Sequence, residues 1–124
     1  MAIPSQKLKN DLETPDLNSK ISTLAQQIKK NPDDSFSKFA LALELLKIDQ
    51  KDRALSLFKN IQVADPDYVG VYYHLGKLYE ELGKNNLALS CYKDGIAVTN
   101  RLKNLHAKSE LQGVLINLEM ELED

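Results

Sequence analysis

Apolar residues recur at helical spacing along most of the chain. Leu17, Ile21, Leu24 and Ile28 are separated by four, three and four residues. This spacing puts all four on one face of a helix. We therefore predict a helix over residues 15–30.

The middle of the chain repeats itself at an offset of 34 residues. The identical pairs are Pro32 and Pro66, Asp33 and Asp67, Leu41 and Leu75, Ala54 and Ala88, Leu55 and Leu89, Ser56 and Ser90, and Lys59 and Lys93. A period of about 34 residues is typical of helix–turn–helix units that stack and share one core. We predict two such repeats, 35–68 and 69–102.

The two ends of the chain do not continue the repeat. Residues 1–14 carry little pattern, and we expect a flexible lead-in there. Residues 103–122 are predicted to form a helix that covers the open end of the stack and turns a polar back to water. Residues 15–124 then make a single domain. The apolar face of the last helix carries Leu111, Leu115, Leu118 and Leu122.

The second repeat resembles a tetratricopeptide repeat. The family's pattern is, in order, an aromatic residue, Leu-Gly, Tyr, Ala, an aromatic residue, a small residue and Pro. In the second repeat these positions are Tyr72, Leu75, Gly76, Tyr79, Ala88, Tyr92, Gly95 and Asn100. The first repeat carries Lys38, Leu41, Ala42, Leu45, Ala54, Phe58, Ile61 and Pro66 at these positions. The departures are Lys38, Ile61 and Asn100. The resemblance implies an all-α fold, a right-handed stack of antiparallel helix pairs with an N-terminal helix and a C-terminal capping helix.

Several of these positions have a physical role in such a repeat. Gly76 is small where two helices should approach closely, and Tyr92 is large where the packed pair leaves room. Gly83 lies between the two helices of the second repeat, where a left-handed cap is favoured. Asp49 holds the equivalent place in the first repeat, and Asp tolerates that conformation better than most residues.

Composition and charge argue against two classes of partner, nucleic acids and anionic membranes. The chain has 124 residues, 43% hydrophobic and 27% charged, and a net charge of −2 with acids and bases interspersed. It has neither the basic stripe of a nucleic-acid binder nor a polybasic segment for an anionic membrane. No apolar run approaches the length of a membrane span or a signal peptide. The single cysteine fits a reducing compartment, so we expect a cytoplasmic protein.

The sequence offers no catalytic constellation. His74 and His106 lack Cys or His neighbours at metal-ligand spacing. Cys91, in mid-helix, has no partner base in the sequence. The glycines are scattered and form no phosphate-binding loop. We therefore expect no enzyme activity, no cofactor and no metal.

The resemblance implies that the first helix of each repeat lines a concave surface that binds a protein or peptide partner. The outward positions would be Phe36, Phe39, Leu43 and Leu46 in the first repeat, and Gly70, Tyr73, Lys77 and Glu80 in the second. We expect Phe39, Leu43 and Tyr73 to anchor the partner, with Lys77 and Glu80 setting the polarity.

Some family members grip the carboxylate of a chaperone tail with Lys and Asn on successive first helices. Of the matching positions here, only Lys108 suits that role, so this ligand is not expected. The others are Phe39, Leu43, His74 and Asn104.

Two alternatives stay open. The N-terminal or C-terminal helix could fold over the surplus apolar residues of the first helices. The chain could also be a structural unit that forms a homodimer, either through the apolar face of the helix at residues 111–122 or through Phe36 and Phe39.

Overall fold

A computed structural model describes residues 17–123. Within this range the chain forms six α-helices and no strand, which confirms the predicted all-α class. The described residues fall into two compact units, with the boundary between Ala54 and Leu55. No helix between residues 17 and 123 is both long and apolar enough to cross a membrane.

The first unit contains the helices α1 (Leu17–Lys30) and α2 (Ser35–Lys47), which pack against each other. Asp34 begins α2 by accepting a hydrogen bond from the backbone N–H of Ser37, at 3.0 Å. A carboxylate in this place satisfies one of the N–H groups that a helix start leaves without a partner. The Ser37 hydroxyl also lies 3.1 Å from Oε1 of Gln27 on α1. The cap thereby links the two helices.

Helix α3 (Lys51–Ala64) crosses the boundary, and the second unit continues with α4 (Gly70–Glu81), α5 (Asn85–Arg101) and α6 (Leu105–Glu123). Helix α5 packs between α4 and α6, and α4 also touches α6. An ion pair links the two ends of the α4–α5 pair, because Arg101 at the end of α5 binds the carboxylate of Asp67 ahead of α4. That pairing holds the pKa of Asp67 below its usual value, chiefly through the hydrogen bond from Arg101.

Three helix ends close in the same way. Asp49 (φ 59°), Gly83 (φ 74°) and Lys103 (φ 60°) take the left-handed conformation. The next residue's N–H then donates back to a carbonyl five residues earlier, as from Lys84 to Tyr79 at 2.8 Å. The predictions for Asp49 and Gly83 are confirmed. Lys103 was not predicted, because nothing in a lysine side chain favours this conformation.

The close approach of α4 and α5 depends on two glycines. A Cβ added at Gly76 would overlap the ring of Tyr92, and one added at Gly95 would lie 2.6 Å from Cβ of Tyr72. Tyr92 is fully buried, and the hydroxyl of Tyr72 donates to the carbonyl of Pro66 at 2.6 Å. The small and large residues of the repeat are therefore used as the sequence indicates.

Helix α6 differs from the prediction in one respect. Of the predicted apolar face, Leu111 and Leu118 are each 2% exposed and Leu115 is half-buried, whereas Leu122 is 46% exposed. The face is therefore buried except at its C-terminal end. The opposite face was expected to be polar, but it exposes Leu105, Ile116 and Met120. The expectation missed these residues because only the leucine spacing was followed. Helix α6 is therefore apolar on two sides.

The two glycines at Gly76 and Gly113 should respond in opposite directions to the same substitution. Gly76→Ala should lower the free energy of unfolding by about 1–3 kcal/mol, because the new methyl group overpacks against Tyr92. Gly113→Ala should raise it by about 0.5–1 kcal/mol, because no atom lies within 4 Å of the added Cβ and alanine favours the helix. Urea denaturation measures the free energy of unfolding of both variants and of the wild type. Equal effects would contradict the packing described for α4 and α5.

Candidate functional site

The predicted site residues of the first unit share one face of α2. Phe36, Phe39, Leu43 and Leu46 are spaced by three, four and three residues, and so lie on one side of the helix. Phe36 is 68% exposed, and the other three are half-buried. This face is apolar along its whole length.

The predicted residues of the second unit share one face of α4. Gly70, Tyr73, Lys77 and Glu80 follow the same three-four-three spacing. Lys77 is exposed, whereas Gly70, Tyr73 and Glu80 are half-buried. This face is mixed in chemistry, with an aromatic ring followed by two opposite charges.

An open cleft lies at the N-terminal end of this face. It is lined by Gly70, Tyr73 and His74 of α4 and by Glu110 of α6, and its volume is about 300 Å³. Gly70 and Tyr73 were predicted from the sequence. His74 and Glu110 were not predicted as partner-binding residues. Glu110 lies on a separate helix, and only the packing of α6 brings it to the cleft.

Aromatic rings support the wall of the cleft. The ring of His74 stacks on that of Phe58, with centroids 6.3 Å apart, and Tyr73 meets His74 edge-on at 5.4 Å. Burial lowers the pKa of His74 below 6.5, so this imidazole is neutral at pH 7. The wall therefore presents an aromatic and uncharged surface.

The charge at the rim comes from Glu110. Its side chain is exposed, and its Oε2 lies 3.7 Å from Nε2 of His106 one turn earlier. A carboxylate beside aromatic rings complements a basic side chain, through both ion pairing and cation–π attraction.

The carboxylate of Glu80 binds a buried tyrosine. Its Oε2 accepts the hydrogen bond of the Tyr92 hydroxyl, and Nζ of Lys77 lies 3.9 Å from the same oxygen. Burial, followed by the bond to Glu80, raises the pKa of Tyr92 well above its usual value. Glu80 therefore links the face of α4 to the core beneath it.

Two of the positions that correspond to a chaperone-tail clamp, Asn104 and Lys108, make hydrogen bonds within the chain. Asn104 Oδ1 accepts from the N–H of Ala107 at 3.1 Å, and Nζ of Lys108 donates to Oδ1 of Asn100 at 2.9 Å. Both side chains stabilise the junction of α5 and α6.

The cysteine of the chain, Cys91, is part of the packed interior. Cys91 is buried, lies 3.4 Å from the carbonyl oxygen of Tyr72, and has a pKa raised to about 12, chiefly by burial. It is therefore protonated at neutral pH and a poor nucleophile. Residues 17–123 contain no group of three His, Cys, Asp or Glu side chains that could hold a metal ion.

Sequence comparison finds a relative but no matching family model. The chain is 31% identical over 78 residues to a TPR repeat-containing protein of the archaeon Methanocaldococcus jannaschii. The match covers 63% of this chain and 24% of the relative, so the chain spans about a quarter of that protein.

Two solved structures extend the comparison. A tetratricopeptide repeat domain protein of Salinibacter ruber is 46% identical, with a TM-score of 0.67, covering 69% of this chain and 96% of that one. The TPR2B domain of yeast Sti1, solved in a pHsp70 complex, has a TM-score of 0.78 at 16% identity. The match covers 91% of this chain and 90% of that domain's chain. At 16% identity the second similarity shows the fold alone.

The stability of the protein should fall as His74 is titrated. The folded chain resists protonation of this partly buried imidazole, so the unfolded chain binds more protons below about pH 6.5. The stability that the neutral His74 side chain contributes is complete above about pH 6.5. It is lost as the pH falls from 6.5 through the lower pKa of His74 in the folded state. Urea denaturation between about pH 7.5 and 5.5 should show a shallower decline for His74→Gln than for the wild type. An NMR titration midpoint of His74 at or above 6.5 would contradict the expected direction.

Proposed function

The chain belongs to the tetratricopeptide repeat family, and we propose that it is a protein–protein interaction module that binds a segment of a partner on the first helices of its repeats. The family and the all-α helical-repeat fold are established by the comparisons above. A fold of this kind supports an interaction module, and the site residues decide what it would bind.

The cleft beside Tyr73 is the observation that carries the proposal. A half-buried tyrosine at the edge of an open cleft has a rigid ring that a partner side chain can pack against. Tyrosines in such places contribute strongly to binding because they bury a large area at a low cost in side-chain entropy. The Tyr73 ring meets that of His74 edge-on, and His74 stacks in turn on the buried Phe58.

The first unit would supply a purely apolar contact. Phe36 exposes a large ring, and Phe39, Leu43 and Leu46 continue the same side of α2. An amphipathic or extended partner segment has apolar side chains at suitable intervals for such a face.

Charge in the second unit would select the partner. Glu110 at the cleft favours a Lys or Arg side chain, while Lys77 and Glu80 largely neutralise each other at 3.9 Å. The yeast domain's pHsp70 partner is not carried over, because Asn104 and Lys108 are engaged within this chain.

Self-association is a second function that we propose, because α6 exposes apolar side chains on the face turned away from its own core. Leu105, Ile116 and Met120 are 73%, 53% and 61% exposed. Exposed apolar residues on one helix face are typical of protein–protein contacts. The two functions use different faces and are compatible.

Peptide selection tests the docking proposal. A displayed library of random peptides should yield binders of micromolar affinity that carry a Lys or Arg side chain. Tyr73→Ala should weaken them by about tenfold or more, in the range of interface hot spots. Glu110→Gln should weaken the basic peptides and leave the folded state intact.

Leu87→Ala is the matched control for Tyr73→Ala, since Leu87 is an exposed apolar residue on α5, the second helix of the same repeat. It should leave peptide affinity unchanged. Peptides that bind equally to the wild type and to Tyr73→Ala would exclude the cleft as the anchoring site.

Sedimentation velocity tests self-association. The wild type should shift from monomer to dimer as its concentration rises through the micromolar range, and Ile116→Glu should remain monomeric. Val63→Glu is the control, because Val63 is 82% exposed on α3 and lies outside α6. A wild type that stays monomeric throughout would rule out self-association.

A further inference from the structure

The exposed face of α6 forms a continuous stripe. Leu105, Ser109, Gly113, Ile116 and Met120 are separated by four, four, three and four residues, and all five are exposed. This is the spacing of one helix face that packs along another helix. Leu111 and Leu118, on the opposite side, are buried within the chain. The stripe has large apolar residues at both ends and small residues at Ser109 and Gly113.

Packing within residues 17–123 does not explain Gly113. A Cβ at this position would meet no atom within 4 Å. Glycine inside a helix is less favourable than alanine, and the space around it gives no compensation. A helix that lies across the stripe would explain the residue, because small side chains allow two helix backbones to approach closely.

The carboxylates of α6 are placed against the dipole of the helix. Glu119, Glu121 and Glu123 lie at its C-terminal end, and Lys103 lies two residues before its N-terminal end. Carboxylates are unfavourable at the negative C-terminal end of a helix, and cations are unfavourable at its positive N-terminal end. A partner helix that runs in the opposite direction offers each end the complementary charge.

We propose that α6 pairs antiparallel with α6 of a second copy of this chain, through the stripe. The inference rests on the self-association proposed above and adds the surface and the orientation. A two-fold axis near Gly113 sets Leu105 opposite Met120 of the partner chain, and Ser109 opposite Ile116. An isologous contact of this kind closes as a dimer.

Charge decides between the two orientations. In the antiparallel pair, Lys103 lies near Glu121 and Glu123 of the partner subunit. A parallel pair would bring six carboxylates together at one end and the two Lys103 side chains at the other. Like charges in such proximity oppose association.

Cysteine cross-linking tests the orientation. Leu105→Cys and Met120→Cys chains, one of them carrying a size tag, are mixed and oxidised at a concentration where the wild type is dimeric. The antiparallel pair predicts a disulfide between the two different variants, and little between identical chains. Disulfides form only where the two Cα atoms come within about 7 Å.

Ser90→Cys, exposed on α5, is the control and should give no cross-link. The native Cys91 does not compete, because it is buried. Cross-links between identical variants alone would overturn the antiparallel orientation while leaving self-association standing. A wild-type dimer with no cross-link from either position would overturn α6 as the surface, and a monomeric wild type would overturn both proposals.

Discussion

The contact between Gly76 and the ring of Tyr92 sets the geometry of the second unit. Because no side chain stands between α4 and α5 at this point, the aromatic ring packs directly on the helix backbone. The hydroxyl of the same tyrosine reaches Glu80 at the end of α4. Tyr92 thus fixes both the spacing of the two helices and the rotation of α4 about its axis. That rotation decides which residues of α4 remain accessible.

The candidate site follows from this arrangement. With α4 held by Tyr92, Tyr73 and His74 line the cleft, and α6 brings Glu110 to it. The packing of α6 depends in turn on Gly95, since a Cβ there would lie 2.9 Å from Cδ1 of Leu111. Residues of the core and residues of the cleft are therefore coupled through a few close contacts. Glu80 belongs to both groups, which limits how far it can serve a partner.

Helix α6 has apolar side chains on two opposite faces. Leu111 and Leu118 pack within the chain, whereas Leu105, Ile116 and Met120 are exposed. A helix with one apolar face has only that face to bury. The second face of α6 is the surface that we propose for self-association.

The sequence by itself determined the repeat, the helices and the residues that pack them, because a period of 34 residues and helical spacing depend on local geometry. It also indicated Tyr73 as an accessible residue of α4, and it located the left-handed turns at Asp49 and Gly83. Only the tertiary structure decided that Glu110 joins Tyr73 and His74, that Glu80 is held by Tyr92, and that the back of α6 is apolar. These features depend on how separate helices meet, and contacts between distant positions leave no periodic trace in a single sequence.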